Sequence, residues 1–306
     1  MVFRYFLKRM LLLLPVLLAV STLVFFLLHA IPGDPVDLIL GEQAISADRQ
    51  SLIVQLGLHK PLHEQYFDFL GGLVTGDWGR SLYDHKTVLA HIGSRFMATI
   101  SLSFSALLVA LFISLPLGIL AAVKKGKCAD SAAMFFSLLG ISIPNFWLGP
   151  LLIIVFSLWL SWFPISGREG FASFVLPSIT LGTALAAMLS RMIRSTMLSE
   201  MKKDYVTTAR AKGVSERRIL YKHILRNALN PIVTIVGLQL GALFAGAIIT
   251  EKVFAWPGLG TLLLDAINRR DYPVVQGTIL VISFLYVFIN AITDCFYKVI
   301  DPRVNL

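Results

Sequence analysis

Six apolar runs, almost free of charge, dominate this chain: 10–28, 99–121, 134–160, 172–190, 231–250 and 274–295. Each is long enough to cross ~30 Å of hydrocarbon as a helix. A backbone inside lipid must satisfy its own hydrogen bonds, so runs of this kind fold as spanning helices. Composition closes off the soluble alternative, because only 15% of the 306 residues are charged while 56% are hydrophobic. A water-facing domain carries about 25% charged residues. The expected fold class is an all-α membrane protein with six transmembrane helices.

Arg4, Lys8 and Arg9 precede the first run, but that run is too long for the apolar core of a signal peptide and no small-x-small cleavage site follows. With the N-terminus inside, the segments 1–9, 122–133, 191–230 and 296–306 hold 18 Lys or Arg in 72 residues, against 9 in 104 for the segments on the other face. Basic residues resist translocation, so both termini are expected in the cytoplasm and the chain in the cell inner membrane, multi-pass. The net charge of +9 then sits at membrane boundaries, where it meets anionic lipid rather than nucleic acid.

The external segment 29–98 is longer than a loop requires. Pro32, Gly33 and Pro35 end the first helix. Residues 45–57 read as a short helix capped by Ser46, and 61–76 as a second one carrying Tyr66, Phe67, Phe69 and Leu70. This divides the chain into 1–98, the first span with a small helical external region, and 99–306, a five-helix core. Within 134–160, Pro144 and Pro150 predict one kinked or tilted helix, with Trp159, Trp162 and Phe163 as an interfacial belt. Pro231 is expected to open the span 231–250, in which Gly237 and Gly241 form a GxxxG pair that lets backbones approach closely. That pair suits packing within the chain, a partner interface or a pathway. In the external segment 251–273, Trp256-Pro257-Gly258 forms a turn and 261–268 an amphipathic helix, suited to plain packing or to a lid. Asn145, Gly237, Gly241, Glu251, Trp256, Pro257, Gly258 and Asn290 are the candidates for the pathway or its lid.

The inner segment 191–230 is the most informative. Asp204 is a credible N-cap for a helix over 205–212, Gly213 interrupts it, and Ser215 and Arg218 frame a second start. Ala209 and Ala211 are small enough to be covered, and Arg210, Lys212, Arg217 and Arg218 surround them. A membrane anchor would do better as one straight basic helix. A bent pair with small residues between charges suits a protein cleft.

No grouping of residues suggests chemistry. The six histidines are scattered, Cys128 and Cys295 have no partner at metal-ligand spacing, and no GxxxxGK[ST] loop occurs. No catalytic residue, metal or cofactor is expected on this chain. Asp294, four residues after Asn290, is the one acidic group within a span and is expected to pair near the inner end.

The chain carries, in order, Pro32-Gly-Asp-Pro35, Gly57-Leu58, Gly76-Asp77, Ile143-Pro144, TARAKG at 208–213, EKVFAWPGLG at 251–260, RDYPVVQG at 270–277 and Asp301-Pro302-Arg303. Together these strings resemble a known family: the permease subunits of binding-protein-dependent ABC importers, in particular the peptide/nickel class. Thr207, Thr208 and Ala209 stand where the family's coupling motif has Glu-Ala-Ala, with Gly213 at the motif glycine. His223-Ile-Leu-Arg226 replaces the motif's Ile-x-Leu-Pro, and the proline comes later, at Pro231.

The resemblance implies a type I ABC importer permease fold. It implies that Asp204, Thr207, Thr208, Ala209, Arg210, Ala211, Lys212, Gly213 and Arg217 couple the spans to an ATPase subunit. Implied partners are a homologous second permease, two ATPase subunits that use ATP and Mg, and an extracytoplasmic solute-binding protein, beside the membrane lipid itself. The implied solute is a di- or oligopeptide, with nickel, a metal chelate or glutathione as the alternatives. A proton-coupled secondary transporter would need charged groups at midplane or inverted repeats, and neither is visible.

Overall fold

Prolines and glycines decide where the apolar runs break. A computed structural model describes residues 2–30, 50, 53, 54 and 58–300. Among the described residues the regular structure is helical, apart from one antiparallel bridge between Arg80 and Thr87. The elements are α1 (Val2–Ala30), α2 (Leu62–Thr75), α3 (Val88–Val123), α4 (Cys128–Ser142), α5 (Asn145–Leu152), α6 (Ala172–Glu200), α7 (Asp204–Ala211), α8 (Glu216–Arg218), α9 (Arg226–Val253), α10 (Leu259–Asn268) and α11 (Tyr272–Ile300). A π-helical stretch, Ile153–Trp159, prolongs α5, and another, Ile219–Leu225, joins α8 to α9.

The fold is an all-α, multi-pass membrane architecture. Four helices are individually long and apolar enough to cross a bilayer, and two bent pairs bring the count to as many as six. The run 134–160 departs from expectation. α4 and the stretch Asn145–Trp159 meet at 102°, far beyond a proline kink in one continuous helix. Ile143 is extended, at φ −88° and ψ 114°, because the ring of Pro144 excludes helical geometry at the residue before it. Pro231 also differs from expectation. It lies inside α9 rather than at its start, where its missing N–H accompanies a 47° bend. The short helix expected over 45–57 lies largely outside the described residues, whereas the one expected over 61–76 is α2.

Tight helix contact in lipid depends on small side chains and matched polar groups, since apolar surface gains nothing by leaving hydrocarbon. The seam between α3 and α6 shows this most clearly. Ala98, Leu102, Ala106 and Ala110 line α3 at four-residue spacing and are fully buried. Opposite them on α6, a Cβ on Gly182 would stand 2.6 Å from the Ala106 carbonyl; further along α3, one on Gly118 would stand 2.6 Å from Ile193 Cβ of α6. The Ser105 and Ser178 hydroxyls meet at 2.6 Å across the seam. α4 joins α6 in the same manner through Ser137 and Ser190, at 2.6 Å. At the end of this seam the Arg194 guanidinium donates to both Asp130 oxygens, at 2.7 and 2.8 Å, while Gly126 N–H donates a third bond at 2.9 Å.

A second core lies between α1, α10 and α11, with Val24, Leu28, Leu259, Leu262, Val274 and Val275 buried. α2 is pinned to α1 by rings: Phe25 lies 5.3 Å from Tyr66 and 5.8 Å from Phe69. The Thr22 and Tyr66 hydroxyls meet at 2.6 Å. Loops 79–87, 161–171 and 251–273 share one end of the bundle, since Asp271 accepts from Ser81 Oγ and Leu82 N–H, and Gly167 N–H donates to the Phe254 carbonyl. α7, α8 and the Asp130–Arg194 pair lie at the other end.

The seam predicts opposite signs for two Gly→Ala changes. Gly182→Ala should destabilise by about 1–3 kcal/mol by overpacking. Gly71→Ala, on α2 with nothing within 4 Å of the new Cβ, should stabilise by about 0.5–1 kcal/mol. Thermal unfolding of the purified protein in detergent measures both.

Candidate functional site

At one end of the bundle stands the bent pair α7–α8. α7 begins at Asp204 with Lys203 as the N-cap residue, so Asp204 is the first helical residue rather than the cap assigned to it from sequence. Its carbonyl accepts from the Thr207 and Thr208 hydroxyls at 2.8 and 2.9 Å. The helix ends in a Schellman motif: Gly213 N–H donates to the Arg210 carbonyl at 2.9 Å and Val214 N–H to the Ala209 carbonyl at 3.1 Å. The motif needs a left-handed residue, and Gly213 has φ +71°. Ala209 and Val214 pack on the main core beside Val206 and Ile219, which fixes how α7 sits against the spans.

Across the bend, Arg210 grips Glu216 with Nε–Oε1 at 2.7 Å and Nη2–Oε2 at 3.3 Å. The guanidinium holds the Glu216 carboxyl below the usual carboxylate range. At the base of α7, Glu200 accepts from Lys203 Nζ at 2.6 Å and from the Tyr205 hydroxyl at 2.9 Å, and burial pushes that hydroxyl's pKa up. Asp204, Thr207, Thr208, Arg210, Ala211, Lys212, Gly213 and Arg217 are all exposed, and Ala209 is half-buried. The structure therefore gathers all nine residues into one mostly exposed protrusion with a cationic rim.

The opposite end holds a polar cluster inside the protein. Gly258 sits before α10 and has no side chain with which to cap it, yet the first N–H groups of α10 need acceptors. They find them on two other helices. Leu259 N–H donates to Thr99 Oγ1 of α3 at 2.7 Å; Gly260 and Thr261 N–H donate to Glu251 Oε2 of α9 at 2.7 and 3.1 Å. The Thr99 hydroxyl donates to Glu251 Oε1 at 2.6 Å. Glu251 is fully buried; burial pushes its pKa up, against the hydrogen bonds from Thr99, Thr261 and Gly260 and the helix N-terminus, which favour the charged form.

Two glycines make room for this carboxylate. A Cβ on Gly258 would collide with the Glu251 oxygens, and one on Gly260 with the backbone of Ile248. Trp256 closes the cluster: its Nε1 donates to the Ala98 carbonyl at 2.9 Å, and its ring stands edge-on to Phe174 at 4.6 Å. Arg168 lies 5.7 Å above the same ring. Pro257 is half-buried in the turn between Trp256 and Gly258. One carboxylate thus ties α3, α9 and α10 together.

The remaining pathway candidates lie elsewhere. Gly237 and Gly241 face α11 of the same chain: a Cβ on Gly237 would collide with Thr293, and one on Gly241 would stand 3.1 Å from Asn290 Oδ1 and 3.2 Å from Tyr286. Asn290 Oδ1 is buried there with no hydrogen-bond partner among the described residues. Asn145 opens α5 just after the 102° break and is half-buried. No group of His, Cys, Asp or Glu able to hold a metal occurs among the described residues. Sequence reasoning overlooked Thr99, Arg168 and Phe174. Thr99 lies 152 residues from Glu251, and nothing in its own apolar run marks it.

Comparison with known proteins places the chain in a family. The family described as "Binding-protein-dependent transport system inner membrane component" matches residues 114–306, and its N-terminal counterpart matches residues 2–103. The glutathione transport system permease protein GsiC of Escherichia coli (strain K12) is 44% identical over 301 residues, covering 98% of each chain. The protein of the same name from Salmonella choleraesuis (strain SC-B67) is 42% identical over 98% of each. Among solved structures, an inward-facing MetNI methionine ABC transporter superposes with a TM-score of 0.59 at 19% identity, covering 69% of this chain and 96% of that one. At that identity the likeness is one of fold.

The buried cluster predicts that Glu251→Ala orphans two helix N–H groups, at about 1–3 kcal/mol each. Gly258→Ala should produce a similar loss by displacing the same carboxylate. Thermal unfolding together with limited proteolysis of 251–273 reads both variants. Normal melting in both would show that the capping bonds do not hold α10 in place.

Proposed function

The chain belongs to the family of binding-protein-dependent transport system inner membrane components, and on that premise we propose that its solute is glutathione or a short peptide of similar size. It is a multi-pass inner-membrane permease subunit of a peptide/glutathione-class ABC importer, and not an enzyme. The observation that carries the solute reading is the 44% identity with GsiC over 98% of both chains. Glutathione is thereby favoured over the general di- or oligopeptide reading that the sequence motifs led to.

In the arrangement proposed, this permease pairs with a homologous second permease, two ATPase subunits work from the cytoplasm, and a solute-binding protein delivers from outside. Both termini and the α7–α8 protrusion face the cytoplasm, which accords with the concentration of Lys and Arg on that side. The protrusion enters a groove on an ATPase subunit. Ala209 and Gly213 permit close approach, and Arg210, Lys212 and Arg217 supply polar contacts at the rim. The Schellman lock and the Arg210–Glu216 clamp matter because a coupling element must transmit displacement without bending. The cluster around Glu251 faces outside, where it holds α10 and the turn at Trp256, Pro257 and Gly258 over the end of the spans.

Two measurements test this reading. Uptake by the reconstituted complex, comparing glutathione, trialanine and chelated nickel, should be greatest for glutathione or trialanine; import of nickel alone would overturn the assignment. Gly213→Val forces a β-branched residue into left-handed geometry and should cut solute uptake and solute-stimulated ATP hydrolysis about tenfold or more, at normal membrane levels. Gly213→Asn should retain much of both, because Asn tolerates that geometry. Equal activity in the two variants would remove Gly213 from the coupling role.

A further inference from the structure

α6 is the most deeply buried of the long spans. One stripe of it remains exposed: Met188, Arg191, Ser195 and Ser199. Spacings of three and four residues place these on one helix face. Elsewhere the exposed surface of the spans is what hydrocarbon accepts, such as Leu11, Leu12 and Leu14 on α1 and Phe104, Leu108 and Phe112 on α3. Met188 lies within the apolar run, while Arg191, Ser195 and Ser199, three of the four, carry guanidinium or hydroxyl groups and continue the same face into the basic end.

Gln239 faces this stripe from the middle of α9. Gly237 and Gly241 pack against α11, so a residue two positions from each points about 200° away, towards α6. Its Nε2 reaches Met188 Sδ at 3.4 Å. A thioether is a weak acceptor, and among the described residues it is the amide's only hydrogen-bond partner. A carboxamide at mid-span is costly against lipid and cheap against water or a polar solute. Arg191, one turn nearer the basic end, has no acidic partner among the described residues, because its neighbour Arg194 takes Asp130.

We infer that Met188, Arg191, Ser195 and Gln239 form this subunit's wall of the solute route, with Gln239 meeting the amide groups of a peptide-like solute and Arg191 its carboxylate. The inference rests on the reading of this chain as a permease for glutathione or short peptides. The charge matches: such solutes carry a free carboxylate, and the stripe offers one uncompensated cation. The chemistry of mid-route recognition is thus amide to amide, with the thioether of Met188 adapting to side chains of different shape.

Cysteine accessibility in the assembled transporter tests this, in membrane vesicles and with Cys128 and Cys295 replaced by Ser. A charged methanethiosulfonate should modify Gln239→Cys and Met188→Cys about tenfold or more faster than Leu14→Cys on the lipid-facing side of α1. S-methylglutathione or trialanine should slow the reaction at Gln239→Cys. Reactivity at Gln239→Cys no greater than at Leu14→Cys, with or without vanadate trapping, overturns the wall. Reactivity that neither solute slows overturns the solute contact. In the parent protein, Gln239→Leu should raise the half-saturating solute concentration for uptake about five- to tenfold, the equivalent of one lost hydrogen bond, with partial rescue by Gln239→Asn; an unchanged value overturns the recognition role. If neither solute is imported while the labelling pattern holds, the wall stands and the solute assignment under Proposed function falls.

Discussion

The seam between α3 and α6 is the contact on which the rest of the structure depends. In lipid, two apolar helices have no solvent-driven reason to associate, so contact must come from close approach and matched polar groups. Ala106 and Ala110 against Gly182, and Ser105 against Ser178, supply both. α6 then has one face committed to α3 and another, through Ser137 and Ser190, to α4. Its remaining stripe, from Met188 to Ser199, is exposed. At the ends of the same seam stand the α7–α8 protrusion and the Glu251 cluster, the latter bonded to Ala98 and Thr99.

Both features solve a local problem of unpaired backbone groups. α7 must stop abruptly, and Gly213 provides the left-handed turn that satisfies its last carbonyls. α10 must start without a capping side chain, and Glu251 and Thr99 reach it from two other helices. The first solution is local and leaves a segment that presents its surface outward. The second spans three helices and leaves a segment held from inside. An exposed bend and a cluster that holds its end of the bundle together rest on those opposite solutions.

Much of this could be read from the chain alone, wherever the information is local. The apolar runs, the amphipathic α2 and α10, and the interruption at Gly213 each follow from patterns a few residues long. The 102° break at Pro144 is local in cause, yet its size is set by what α5 packs against: Gly149 lies close to Val253, Phe254 and Thr180. The bend at Pro231 similarly sits within a helix that begins before it. The Arg194–Asp130 fork and the Thr99–Glu251 bond join residues 64 and 152 positions apart, and only the folded chain brings them together. The string EKVFAWPGLG marks Glu251 and Gly258 as unusual without revealing that one leaves space for the other.

From Pro231 to Glu251, α9 is an unbroken rod of roughly 30 Å at 1.5 Å per residue. It meets the π-helical turn leading from α8 at one end, carries Gln239 halfway, and anchors α10 at the other. Such a rod acts as a lever: a tilt of roughly 10° about either end sweeps the far end through roughly 5 Å, and the midpoint through half of that. Movement at the bend side and movement at the mouth are then geometrically inseparable, and a side chain at the midpoint registers both.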